Sequence, residues 1–244
     1  MKIKIISENT VHDGGLLAEH GLTIWFEYNG RQYLFDTGQG LVLLHNAEKM
    51  GIDFQNLDGV IISHDHDDHA GGLKQVLQHN PKLKVWAHPE IIDNHELIKK
   101  SSGVKEPTEI REEIWLTGEI PVGVKIFKKK KYKEAAETEN SLYVKSEKGL
   151  IVLVGCSHPG IINVLDYIEE ITDGEKIYAV IGGMHLINKD KQELIEIIDR
   201  MNESEIEKLY PMHCTGDLAI HEMINKFKGE VLLSAAGKEI ELVE

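Results

Sequence analysis

IISHDHDDHAGG, residues 61–72, sets three histidines and three aspartates at positions 64–69, directly behind a run of branched apolar residues. The preceding GVIIS (59–63) reads as a strand. In extended backbone alternate side chains point the same way, so His64 and His66 converge on one point. Asp68 and His69 follow where the chain turns into a helix expected over 70–79. Adjacent residues at such a corner point apart, so this pair serves a second point nearby. Imidazole and carboxylate donors suit zinc, and also iron or manganese. A solvated turn is the plainer alternative, but aligned imidazoles and carboxylates without a cation are costly to desolvate. The stretch therefore reads as half of a metal site.

A zinc site needs three or four protein ligands, and a local cluster is usually completed from elsewhere in the chain. Three more histidines stand just past strand-like runs: His158 in LIVLVGCSHPG (150–160), His185 in IYAVIGGMHL (177–186) and His213 in EKLYPMHCTG (207–216). One histidine in such a place is ordinary structure. Three of them, in the same position relative to a strand as the cluster, point to one site at the strand ends, where loops gather in open α/β sheets. His12, His45, His79, His88, His95 and His221 show no partner in the sequence and read as surface or core residues.

Around these motifs the elements alternate. Strand-like runs fall at 2–6, 22–28, 31–36, 59–63, 84–88, 141–145, 150–155, 177–182, 207–211 and 231–235, and Asn29-Gly30 is a two-residue hairpin signal. Helical periods cover 41–50 and 70–79. They recur in the faces Ile161, Ile162, Leu165, Ile168, Ile171; Leu194, Ile195, Ile198, Met201; and Ile220, Met223, Ile224, Phe227. Hairpins first and strand–helix alternation later give an α/β protein of mixed sheets covered by helices. With 244 residues and no linker-like stretch, a single domain over 1–244 is expected, with an excursion at 89–123 that carries Pro89, Pro107 and Pro121.

A net charge of −14 argues against non-specific binding to nucleic acid or an anionic membrane. No run approaches the roughly 20 apolar residues needed to span a bilayer. The start, MKIKIISENTVHDGG, reads as a first strand rather than a signal peptide, which makes the cytoplasm the simplest location. The basic stretch Lys125, Lys128, Lys129, Lys130, Lys131 and Lys133 reads as a lysine-protected edge strand or as a phosphate-attracting rim. The two cysteines, Cys156 and Cys214, are too few for a disulfide framework. Each lies within two positions of a histidine. Small packing residues are the preferred reading, and thiolate ligands the alternative.

His64, His66, Asp68 and His69 together spell H-x-H-x-D-H. With Asp36-Thr37-Gly38 after a strand and histidines at 158 and 213, the chain resembles the metallo-β-lactamase fold superfamily over nearly its whole length. The resemblance implies a four-layer αββα sandwich of two mixed β-sheets flanked by helices. It implies that His64, His66 and His158 hold one metal, that Asp68, His69 and His213 hold a second, and that Asp36 braces the ligand loops without binding metal. One departure stands out. Many dinuclear members carry a bridging aspartate after the strand between the last two histidines, where this chain has Gly182-Gly183-Met184-His185. An imidazole normally offers one nitrogen to one metal, so His185 has three readings: a ligand to one ion, a substrate contact, or the sign of a weak second site. One or two divalent ions, zinc first, remain open.

The chemistry implied is metal-dependent hydrolysis, in which metal-bound water loses a proton near neutral pH and Asp68 orients the resulting nucleophile. The helix opening at Pro159-Gly160 offers free N–H groups to an anion. Together with the lysines it points to a small, anionic, phosphate-bearing substrate, with Lys131 at its rim. His20, on a glycine-bordered loop in LLAEHGLT (16–23), is a second substrate-binding candidate. SENT (7–10), FDTGQG (35–40), TGEIP (117–121), GCSHPGIIN (155–163) and GGMHL (182–186) are similar to one branch of the superfamily. It includes an archaeal enzyme proposed to join a dihydropterin methyl diphosphate to ribofuranosylaminobenzene phosphate, which makes a metal-dependent transferase the alternative. A non-catalytic, metal-containing ligand sensor is the third reading. A flavin-linked diiron oxidoreductase is disfavoured, because that group replaces an early histidine with a carboxylate. Oligomeric state stays open.

Overall fold

The computed structural model describes residues 1–98, 101–121 and 138–243. The chain divides into two compact units, Met1–Val104 with Ser234–Glu244, and Lys105–Leu233. Each is built on one seven-stranded mixed sheet. The lysines at 125–133, Lys131 among them, lie outside the described residues.

In the first unit β1 (Lys2–Ser7), β2 (Thr23–Tyr28) and β3 (Arg31–Phe35) form an antiparallel meander. Asn29 and Gly30 both take positive φ, 51° and 70°, so Tyr28 faces Arg31 across the two-residue turn that the sequence announces. From β3 the sheet continues in parallel through β4 (Gly59–Ile61), β5 (Lys84–Ala87) and β6 (Ser102–Gly103). At the other edge β14 (Glu239–Glu241) pairs with β1. Leu34, Val60, Ile62, Val85 and Ala87 pack on one face against Leu43 and Ala47 of α1 (Leu43–Lys49), Leu73 and Val76 of α3 (Leu73–His79), and Ile91 of α4 (Pro89–Asn94). On the opposite face Ile3, Ile5, Ile24, Phe26, Phe35 and Ile61 are also fully buried.

The second unit repeats the plan. β7 (Thr108–Arg111), β8 (Ile114–Leu116), β9 (Leu142–Ser146) and β10 (Gly149–Val154) run antiparallel. β11 (Ile177–Gly183), β12 (Lys208–Met212) and β13 (Glu230–Val231) extend β10 in parallel. Every residue of β11 is buried, as expected of a central parallel strand. The helices α5 (Ile161–Ile171), α6 (Lys191–Glu203) and α7 (Asp217–Lys226) cover one face through Leu165, Ile168, Leu194, Ile198 and Met223. An Asp190–Glu193 capping box starts α6, and Arg200 ties it to Asp166 of α5 at 2.6 Å. Two sheets, each with its helices, account for the sheet and helix layers anticipated.

Three local expectations change. The helix expected over 70–79 is two helices, α2 (Asp67–Ala70) and α3, separated by Gly71 and Gly72. A Cβ on Gly72 would meet the Thr37 carbonyl oxygen at 2.2 Å, so glycine here lets the loop after β3 lie against the α2–α3 corner. Of the run at 231–235 only Val231 lies in a strand, β13, and the Leu232 N–H adds one bond to the Leu209 carbonyl at 2.9 Å. α7 buries Ala219, Glu222 and Met223 and leaves Ile224 half-exposed, a rotation from the face Ile220, Met223, Ile224, Phe227 that the helical spacing suggested. In the excursion expected at 89–123, the described residues supply α4, the edge strands β6 and β7, and β8 between β7 and β9.

Asn46 is the buried polar residue on which α1 docks. Its Nδ2 donates to the carbonyls of Ile6 (2.7 Å) and Leu17 (2.8 Å), and its Oδ1 accepts the Leu17 N–H (2.9 Å). No alanine can replace these bonds, and unmade buried hydrogen bonds cost about 1–3 kcal/mol. Asn46→Ala is expected to lower the unfolding free energy by that order, seen as a lower urea midpoint with an unchanged denaturant slope.

Candidate metal centre

In both units the site residues stand past the C-terminal ends of parallel strands. Asp36 follows β3, the segment from Ser63 to His69 follows β4, and Cys156 to His158 follow β10. His185 follows β11 and His213 follows β12. Four of these positions, Asp36, Ser157, His185 and His213, hold positive φ between 50° and 61°. Non-glycine residues persist in that region only where the surroundings fix them.

In the first unit the fully buried Asp36 carboxylate organises the cluster. Oδ1 accepts the Ser63 N–H at 2.7 Å, and Oδ2 accepts both Ser63 Oγ and His69 Nδ1 at 2.7 Å. The one hydroxyl hydrogen of Ser63 goes to Asp36, so at 2.9 Å Ser63 Oγ accepts from His64 Nδ1. His64 and His69 therefore carry their protons on Nδ1 and turn Nε2 lone pairs inward. His64 Nε2 lies 3.1 Å from His66 Nδ1, and His69 Nε2 lies 3.8 Å from Asp68 Oδ2. Two nitrogens on one tetrahedral zinc are about 3.3 Å apart, so the His64–His66 pair has the spacing of a shared ion. The His64 and His69 rings stand only 4.1 Å apart. Asp65 turns away to His95 Nε2, at 2.6 Å.

His20 meets Asp68, Nε2 to Oδ2 at 3.3 Å, while its ring stays mostly exposed. Its loop is held by the neighbouring Glu19, a buried carboxylate that accepts the N–H groups of Gln39 (3.1 Å), Leu41 (2.9 Å) and Val42 (3.2 Å). The Leu22 N–H then bonds the Asp68 carbonyl at 3.1 Å. His20 is thus a built part of the cluster, not a stray surface residue.

In the second unit a buried carboxylate again organises the loop. Glu139 accepts the N–H groups of Cys156 (3.0 Å), Ser157 (2.7 Å) and His158 (2.8 Å), and His158 Nδ1 lies 3.2 Å from its Oε2. The same logic places the His158 proton on Nδ1 and leaves Nε2 as the donor. Sequence reasoning missed Glu139. It sits 17 positions before Cys156 in a polar stretch without periodicity, and nothing local marks it.

His185 places its ring 4.6 Å from that of His158 and donates its backbone N–H to Cys214 Sγ at 3.3 Å. Its Nδ1 is buried and has no hydrogen-bond partner among the described residues. Cys156, His185 and Cys214 each bring a ligand atom within 4.8 Å of the other two. Cys156, His185 and His213 hold the Cys214 thiol well below its ordinary pKa, against the opposing effect of burial. His213, buried in the turn after β12, is steadied by Thr215, whose Oγ1 donates to the Met212 carbonyl (2.8 Å) and accepts the Met184 N–H (3.1 Å). Away from these groups His88 caps α4, and His12, His45, His79 and His221 are exposed, matching their reading as ordinary residues.

Each unit presents imidazole nitrogens of fixed tautomer beside carboxylate or thiol donors, a set that fits divalent metal chemistry. Two mixed sheets with their helices, carrying these motifs, define an enzyme fold suited to divalent metals. The chain belongs to the metallo-beta-lactamase superfamily, whose family model matches residues 18–213. It is 32% identical to the 7,8-dihydropterin-6-methyl-4-(beta-D-ribofuranosyl)-aminobenzene-5'-phosphate synthase of Methanocaldococcus jannaschii, over 98% of this chain and 96% of that protein. Tm1679, described as a metal-dependent hydrolase of the beta-lactamase superfamily, aligns over all of both chains with 32% identity and a TM-score of 0.85. YhfI of Bacillus subtilis shares the fold at 15% identity and TM-score 0.64, over 98% of each chain. Proteins of the superfamily generally bind divalent metals. Among the described residues no helix is long and apolar enough to cross a membrane.

Asp36→Asn and Glu139→Gln keep size but offer an amide where each histidine needs an acceptor. Each is expected to weaken zinc affinity by about 10–100-fold, measured by competition with a chromophoric chelator, with far-ultraviolet circular dichroism unchanged. Unaltered affinity in both variants would remove these carboxylates from the site.

Proposed function

We propose that the chain, acting as one functional domain over residues 1–244, is a metal-dependent hydrolase of a small, anionic, phosphate-bearing molecule. In this reading His64, His66 and His158 hold one divalent ion and Asp68, His69 and His213 a second, zinc first, with iron or manganese as alternatives. The observation that carries it is the pair of buried carboxylates, Asp36 and Glu139, which fix the His64, His69 and His158 tautomers so that Nε2 is the donor. Bound divalent ions supply Lewis acidity toward water and toward a phosphoryl oxygen.

The chain's own groups have distinct parts in this proposal. Asp68, held between His20 and His69, accepts a hydrogen bond from the attacking water and so orients it. The exposed edge of His20 faces the substrate. α5 starts at Gly160 with no side chain capping its first turn, which leaves backbone N–H groups for an anionic oxygen. A second reading, transfer rather than hydrolysis, is favoured by the 32% identical relative named as a pterin-related synthase. It uses the same anion-binding groups but excludes water in favour of an amine nucleophile.

Two measurements test this. His66→Ala and His213→Ala are each expected to lower bound metal by elemental analysis, and unchanged metal in both would sink the ligand assignment. Turnover of a phosphoester and diphosphate panel in isotopically labelled water is expected to place label in the product. Unlabelled product with a new C–N bond would replace hydrolysis with transfer. Tight binding without turnover would instead support a sensor.

A further inference from the structure

We propose that Cys156, His185 and Cys214 bring two thiolates and one imidazole to a thiophilic divalent ion such as zinc or cadmium at the strand ends of the second unit. All three residues belong to the unit Lys105–Leu233, and none is among the six ligands proposed above.

Geometry supplies the first support. The three donor atoms lie within 4.8 Å of one another. Sulfur and nitrogen on one tetrahedral zinc are about 3.5–3.8 Å apart, so closing the triangle takes contraction of roughly 1 Å, within the reach of side-chain rotation. The backbones that carry them are already locked together. Gly183 N–H bonds the Gly155 carbonyl at 3.1 Å, next to Cys156. Leu186 and Ile187 N–H groups bond the Cys214 carbonyl at 3.2 and 3.3 Å, next to His185. A Cβ on Gly183 would come within 2.7 Å of Cys214 Sγ, so the sulfur fills the space a side chain there would need.

Chemistry supplies the second. His185 Nδ1 is buried and lacks a hydrogen-bond partner among the described residues, a cost that a bound cation would lift. Packing explains the burial of both cysteines, and hydrogen bonds seat Cys214 Sγ between the Cys156 carbonyl (3.6 Å) and the His185 N–H (3.3 Å), yet neither accounts for the orphaned nitrogen. Each thiol releases its proton to solvent on binding, and two thiolates then neutralise a divalent charge away from water. Thiolate donors select zinc and cadmium over manganese and magnesium.

Cobalt(II) titrated into the metal-stripped full-length protein decides the matter, because sulfur-to-cobalt charge transfer absorbs strongly in the near ultraviolet and nitrogen or oxygen ligation does not. The wild type is expected to show the band. Cys156→Ser and Cys214→Ser are each expected to lose about half of it, and the double variant all of it. Cobalt that binds, by its visible d–d absorption, without a sulfur band overturns this proposal and leaves the six-ligand reading standing. No cobalt binding at all overturns both. If the double variant does not fold, the cadmium NMR shift of the loaded wild type gives the same decision: strongly deshielded for sulfur ligands, and otherwise contrary to the proposal.

Discussion

A carboxylate taken out of water must have its lone pairs filled by donors that cannot turn elsewhere. Asp36 and Glu139, both fully buried, meet that demand with backbone N–H groups from the loops they face, and each spends its remaining capacity on an imidazole. The bond works in both directions. It satisfies the buried charge, and it commits the histidine to one tautomer with Nε2 left as the donor. Ligand loops that would otherwise sample many conformations are held by the same contact.

The sheets explain why those loops are where they are. In each unit the antiparallel strands come first and the parallel strands follow. Parallel strands deliver successive loops to the same edge, so chemistry-bearing residues far apart in sequence gather there. Turning sharply off a strand end has a conformational cost, visible in the left-handed Asp36, Ser157, His185 and His213. Gly182 shows how little room remains, since a Cβ there would lie 1.9 Å from the Val154 carbonyl oxygen.

His185 is the residue that most individualises the centre. It stands where the superfamily often has a bridging aspartate, and its neighbours include the Cys214 sulfur and the His158 ring. An imidazole with two thiols as neighbours belongs to softer coordination chemistry than a carboxylate among histidines. His20 and Glu19 play the comparable part in the first unit, where a loop without regular structure is bolted to the start of α1 and so brings an exposed imidazole onto Asp68.

By itself the sequence determined β1–β5 and β9–β12, the Asn29-Gly30 turn, the amphipathic α5 and α6, and the approach of His64 to His66, because these depend on periodicity and on neighbours two to four residues apart, whereas the short edge pairings of β6, β7, β8 and β14 left no such pattern. The motif spacing also disclosed the superfamily. Only the tertiary structure decided the rest. Glu139 carries no local signature, and its role exists only because the chain returns to it 17 residues later. The split between α2 and α3 follows from the nearness of the Thr37 loop, not from helix propensity. The approach of Cys156 and Cys214 to His185 joins three separate strand ends, and no sequence interval encodes it. Local patterns specify which faces are apolar and which loops are polar; long-range hydrogen bonds at the sheet edge specify which atoms meet.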